Sequence, residues 1–344
     1  MDVRYREMKP KDVRQCVEGI ATHPVLGVRY GNLIEQLPSA IHSALGFDSL
    51  IAVVFEEFQG STTRFLGAGL AAFVCDEFFQ AVKATPFFWL GPELVKRITR
   101  GNSPLLSDAV VRDANSTVGL NLMVWHNTIH PVDLIRAEVG TPVMASFEQY
   151  CRGFRLRELI GQADCHEQMR AQRNAGGLYF HRTENRYADF PAVDALDFGS
   201  EPRNAGMSRE MALRHGASWV GSLFLYAPPQ FCFSRSEQRL LSSALDGGTD
   251  EESSDELGVS LFAVKKTWRA IYDRVAACQP DLIPSNEQTD ALIQDRGKQK
   301  KQRLLAYLRK HPEELRPVSR RLLQQANHQR RPSSESKSAP DTGA

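Results

Sequence analysis

The chain has 344 residues, 42% of them hydrophobic and 24% charged, the make-up of a polypeptide that buries a core and folds as two or three units. Forty-two Lys and Arg against 41 Asp and Glu leave a formal charge of +1, so the total announces no polyanionic partner, although a sum conceals local opposites. No apolar run reaches the roughly 18 residues of a membrane span, and the opening MDVRYREMKP leads into no apolar secretory segment. Six scattered cysteines without a C-x-x-C pair read as free thiols, and a cytoplasmic protein without a membrane partner is expected.

Along the chain, residues 3–8 suit a strand, and Val13, Cys16, Val17 and Ile20 give 12–21 helical spacing. A second helix is expected over 32–45. Residues 49–55 and 65–74 are apolar enough for central strands, divided by the turn Gln59-Gly60-Ser61. Helices follow at 76–83 and 93–99, a strand at 120–125, and a helix at 141–150 with Pro142 as its first residue. Residues 154–160 and 178–181 are further strands. An α+β domain over 1–182, helices on a central sheet, is the expected architecture. Residues 183–230 read as a connector with an ancillary segment, rich in polar residues and closed by Ala227-Pro228-Pro229-Gln230.

The block 231–278 is expected to be all-α. Ser234 with Glu237, and Thr249 with Glu252, form two capping boxes; Gly247-Gly248 and Gly258 end helices; Ser260 caps a third. Leu240, Leu241, Ala244 and Leu245 line the first helix, and Leu261, Val264, Trp268, Ile271 and Val275 the third. Two helices joined by a glycine turn, the second with basic side chains, describe a helix-turn-helix. Here FSRSEQRLLSSALDGGTDEESSDELGVSLFAVKKTWRAIYDRV resembles the DNA-binding domain of LuxR-type regulators. Phe233-Ser234, Glu237, Leu241, Gly247, Leu257-Gly258-Val259-Ser260, Val264-Lys265 and Ile271-Tyr272 carry the match.

That resemblance implies a transcriptional regulator that binds double-stranded DNA as a homodimer, on half-sites about one helical turn apart, and acts on RNA polymerase. It implies that Lys265, Lys266 and Arg269 face the major groove and that Thr249 meets a phosphate. The sequence departs from the family at Ser253-Ser254, where an apolar pair is usual, at Ala263 for Thr, and at Thr267 for a frequent His. Its second helix is acidic, and 232–278 hold six basic and eight acidic residues. Between 296 and 331 the balance reverses to twelve basic and two acidic. This basic helical extension, 289–330, carries Leu304, Leu305, Tyr307 and Leu308. It can pack on the neighbouring domain by its apolar stripe, or supply phosphate contacts through Lys298, Lys300, Lys301 and Arg303. The Ser- and Pro-rich tail, 331–344, is expected to be disordered.

The N-terminal region is the sensory or scaffolding part, with a small-molecule ligand in prospect. Its opening YREMKPKDVRQCVEGI and its element order resemble GNAT-type acetyltransferases, which bind acyl-CoA on a glycine-rich loop that opens a helix. The corresponding stretch, 136–142, reads RAEVGTP and lacks the second glycine. No catalytic residue and no metal site is assigned. His126-x-x-x-His130 lacks further ligands, Cys165-His166 are mere neighbours, and Trp89 and Trp125 suit a core. An acyl-CoA-dependent N-acyltransferase with a helical module, or a protein-interaction protein with a decayed DNA-binding block, are the alternatives.

Overall fold

The computed structural model describes residues 2–60, 62–84, 88–134, 136–198, 203–214, 218–283 and 295–319. The chain opens with β1 (Asp2–Glu7), followed by α1 (Val13–Thr22), α2 (Leu26–Tyr30) and α3 (Leu37–Ala44). The helix expected over 32–45 is therefore divided. Residues Gly31–Gln36 wind as a 3₁₀ turn, and Pro38 stands in the first turn of α3, where its missing N–H costs nothing. The hairpin of β2 (Leu50–Gln59) and β3 (Thr62–Val74) turns at Gly60, whose φ of +63° suits a residue without Cβ. Next come α4 (Asp76–Lys83), α5 (Leu90–Thr99), α6 (Asp108–Ser116) and β4 (Leu120–Asn127).

The short α7 (Pro131–Leu134) leads to α8 (Ala137–Cys151) and β5 (Leu156–Ala163). Pro142 lies inside α8 rather than at its start. A proline there removes one helical hydrogen bond, and what compensates is tertiary: Val139 is buried, and Val143 and Phe147 pack against the sheet. Then follow α9 (His166–Asn174), β6 (Leu178–His181), β7 (Arg186–Ala188), β8 (Arg203–Ser208), α10 (Arg209–Arg214) and α11 (Trp219–Ser222). The segment 183–230 is thus more than a connector: it supplies two strands and two helices to the same domain.

The eight strands form one mixed sheet in the order β1-β2-β3-β4-β5-β8-β6-β7. The β4–β5 pair is parallel and the other pairings are antiparallel. A parallel neighbour needs a crossover, and α7 and α8 provide it. β8 enters between β5 and β6, where a Cβ on Gly206 would come within 1.9 Å of the Leu159 carbonyl oxygen. Alternation sorts β3: Ala68, Leu70, Ala72 and Val74 face the core with α1 to α5, while Ala71 and Phe73 face the one with α6, α8, α10 and α11.

The remaining helices are α12 (Arg235–Leu245), α13 (Asp250–Leu257), α14 (Leu261–Cys278) and α15 (Asp295–Lys310). Leu304, Leu305 and Leu308 of α15 share a core with Leu240, Leu241, Val264, Trp268, Ile271 and Val275. Of the extension expected over 289–330, residues 295–310 form a fourth helix packed by its apolar stripe on the block before it. The expected tail, 331–344, lies outside the described residues. Among the described residues no helix is long and apolar enough to cross a membrane.

Candidate nucleic-acid interface

The geometry of α12 to α14 is built from local chemistry. Ser234 Oγ accepts from Glu237 N–H and Glu237 accepts from Ser234 N–H; Thr249 and Glu252 repeat the exchange at α13. At the turn, Gly258 adopts φ 63° and ψ 34°, returning its N–H to the carbonyls of Ser254 and Asp255. Ser254 Oγ donates to the Val259 carbonyl at 2.6 Å, and Ser260 Oγ accepts from Ala263 N–H at 3.2 Å. The two serines that stand where the family has an apolar pair therefore have work of their own. Ser254 staples the turn, and Ser253, 1% exposed, meets Ser243 Oγ at 3.1 Å. A buried hydroxyl with a partner costs little, so α13 keeps its seat on α12 without an apolar contact there.

α14 has two faces. Val264, Trp268, Ile271 and Val275 are buried at helical spacing. Opposite them Phe262, Lys265, Lys266 and Arg269 are exposed, forming one stripe at i, i+3, i+4 and i+7. The structure brings the three basic residues together on open surface, and Thr249 is exposed at the N-terminus of α13. The Thr249 oxygen already accepts from Glu252 N–H, so a donated O–H is what it offers a phosphate.

Two of the five carboxylates of α13, Asp250 and Glu256, have cationic partners. Asp250 Oδ1 accepts from Lys301 Nζ at 2.9 Å and from Trp268 Nε1 at 3.2 Å, while the ammonium sits 4.8 Å from the Trp268 ring centroid. Glu252 caps its own helix, and the Thr249 N–H holds its carboxyl below the ordinary range. Glu256 pairs with Lys9 at 3.4 Å and accepts from Ser243 Oγ at 3.2 Å. Glu237 binds Arg274, and Asp246 accepts from Tyr150 Oη at 3.2 Å. Of the extension's candidate phosphate contacts, Lys301 is thus engaged with Asp250, Lys300 is half-buried and Arg303 is exposed. The side chain of Lys298 lies outside the described residues.

Residues 311–319 run back over the N-terminal domain. Glu314 accepts from the N–H groups of Gln230 and Phe231, and Asn115 Nδ2 donates to the Pro317 carbonyl. Arg316 is 8% exposed and donates to the carbonyls of Gln149 and Arg152 at the end of α8, with its guanidinium 4.7 Å from the Phe154 ring centroid. Its own carbonyl accepts from Gln238 Nε2 of α12 at 2.7 Å. Burial pushes its pKa down to about 10, so it stays charged at neutral pH. Arg316 stands as a cation at the negative end of α8 and ties that helix to the block.

In the N-terminal domain the stretch 136–142 opens α8, with Arg136 as an extended N-cap that bonds Asp133. Glu138 lies in the first helical turn, and a Cβ on Gly140 would come 2.9 Å from the Leu134 carbonyl oxygen. A carboxylate and a single, sterically enclosed glycine make a poor phosphate cradle. Between α8 and the sheet lies a cavity of about 100 Å³, lined by Ile51, Val53, Phe55, Val143, Phe147 and Tyr150 among others. On the other side of β4, Trp125 Nε1 donates to Tyr30 Oη at 2.8 Å, and Tyr30 Oη lies 3.2 Å from His126 Nδ1. Trp125 is core, as expected. His126 is buried and held neutral and His130 is exposed; among the described residues no group of three or more His, Cys, Asp or Glu could hold a metal ion. Cys165 caps α9 with its thiol pKa raised by burial, and the His166 ring lies 4.7 Å from that of Phe198. Trp89 is half-buried beneath the Arg29 guanidinium at 3.6 Å.

Sequence reasoning passed over Phe262, although its helical position, three residues before Lys265, already puts it on the basic stripe. It also passed over Arg316, for which a basic residue in a basic run gives no local signal. No family model, curated protein or solved structure matches the chain.

Proposed function

We propose that the chain is a DNA-binding transcriptional regulator of LuxR type, in which α14 enters the major groove and the α+β domain senses or scaffolds. The observation that carries this reading is the stripe of Lys265, Lys266 and Arg269 on the open face of α14, behind a capped α13–glycine–α14 turn. Lys and Arg at that spacing serve both phosphates and guanine edges. The cationic partners of Asp250 and Glu256, Lys301 and Lys9, reduce the repulsion that the acidic α13 would present to a phosphate backbone. Exposed Arg303 and the O–H of Thr249 are the auxiliary phosphate contacts of this reading, which further includes a homodimer on DNA and action on RNA polymerase.

Binding of the full chain to genomic DNA fragments, titrated against salt, tests it. Affinity should fall steeply with salt, and each phosphate contact removed among Lys265→Ala, Lys266→Ala and Arg269→Ala should lower the log–log slope by about 0.9. No salt-dependent binding at low ionic strength refutes the proposal.

A second observation bears on the N-terminal domain. Antiparallel β1 to β4, a parallel β4–β5 pair crossed by α8, and β8 inserted before β6 favour a GNAT-like layout. The poor phosphate cradle at 136–142 speaks for a ligand pocket without acyl transfer. Tyr150 and Arg316 join the end of α8 to the DNA-binding block, which favours sensing over a purely separate scaffold.

A further inference from the structure

Phe262 is the second residue of α14, and 77% of its surface is open. Val259, just before the helix, is 43% exposed, and Leu261 beside it is half-buried. The apolar surface at this tip is therefore small, one ring and one isopropyl group, and it is bordered by Lys265 and Lys266 one turn on and Arg269 two turns on. A protein groove that takes an amphipathic helix wants a longer apolar stripe, with anchors over several turns. A lone ring among cations matches a surface in which a single methyl is set between phosphates. The major-groove edge of thymine is such a surface, because it carries a C5-methyl group flanked by the anionic backbone. The position agrees as well: residues at the N-terminal end of a recognition helix reach base edges.

We infer that Phe262 reads a thymine methyl, so that the bound sequence contains a thymine under the first turn of α14. The inference rests on the DNA-binding reading and names what that surface recognises besides charge. Lys265, Lys266 and Arg269 then contribute the guanine and phosphate contacts, and Phe262 contributes discrimination that no salt titration detects.

The test uses the full chain. Duplexes are selected from a random pool, and each dT of the selected site is replaced singly by dU, which removes the methyl and leaves pairing intact. At one position per half-site the change should weaken wild-type binding three- to tenfold. Phe262→Ala should bind the dT duplex weaker by a similar factor and be indifferent to dU at that same position, while Phe262→Leu should keep part of the sensitivity. Since Phe262 is exposed, the thermal midpoints of these variants should match the wild type. Specific binding that tolerates dU at every position overturns the inference and leaves the regulator reading standing. The same outcome follows if Phe262→Ala retains the wild-type dU sensitivity. If no duplex is retained from the pool, the reading beneath falls, and this inference with it.

Discussion

Replacing Arg316 should loosen the joint between α8 and the helical block of α12 to α15. Its guanidinium is buried; its bonded partners are two carbonyls at the C-terminus of α8 and the face of Phe154, and the Glu313 carboxylate adds a weaker charge attraction. Arg316→Ala orphans both carbonyls, and a buried polar group left without a partner costs about 1–3 kcal/mol. Relief from holding a charge out of water offsets part of this. Lost contact with Phe154 adds to it, since an arginine over an aromatic ring contributes about 0.5–2 kcal/mol. The net expectation is a loss of about 2–4 kcal/mol. Arg316→Lys keeps the charge but loses the planar fork that reaches two carbonyls, so it should recover less than half. Urea denaturation at 25 °C, followed by tryptophan fluorescence, measures both. A loss for Arg316→Ala below about 0.5 kcal/mol, the range of ordinary surface substitutions, would refute the assignment of Arg316 as a helix-terminal clamp.

Two other outcomes follow from the N-terminal domain. Burial, with a smaller contribution from His23, pushes the His126 pKa down to about 3. Between pH 6.5 and 3 the unfolded chain takes up a proton that the folded chain refuses, so this contribution to stability is present above pH 6.5 and lost on acidification. His126→Asn should flatten the decline in urea midpoint between pH 7.5 and 5; His23, shifted the same way by burial and by His130, keeps part of it. An unchanged slope would show that His126 does not titrate as its surroundings dictate. On the proposed GNAT-like reading, acyl-CoA at a hundred times its Kd should stabilise by about 2.7 kcal/mol, a rise of roughly 5–10 °C in the Tm of a domain this size. Turnover with an amine acceptor is not expected. A melt unmoved by millimolar acyl-CoA removes this ligand class.

The elements that sequence reasoning placed well are those whose signals are local. Both capping boxes close between residues three apart, Gly258 supplies a left-handed conformation by itself, and the buried face of α14 repeats within a single helix. For the same reason the basic stripe of the candidate interface was legible residue by residue. The hairpin at Gly60 and the helix of residues 76–83 were equally plain.

What failed was whatever depended on a distant partner. Pro142 reads as a helix start, because nothing nearby tells that Val139, Val143 and Phe147 find a sheet to hold them through an interrupted ladder. Residues 203–208 look like the end of a connector, yet Gly206 is the residue thin enough to lie beside Leu159 and complete the sheet. The sequence by itself determined that α12 to α14 would form three capped helices with a basic stripe outward on the third, since caps, turns and periodicity act over three to seven residues. The tertiary structure alone decided what becomes of the charge. Lys301 reaches Asp250 across 51 positions of sequence, and Arg316 reaches the end of α8 from more than 160 positions away, because electrostatic partners are chosen by proximity in space and by burial.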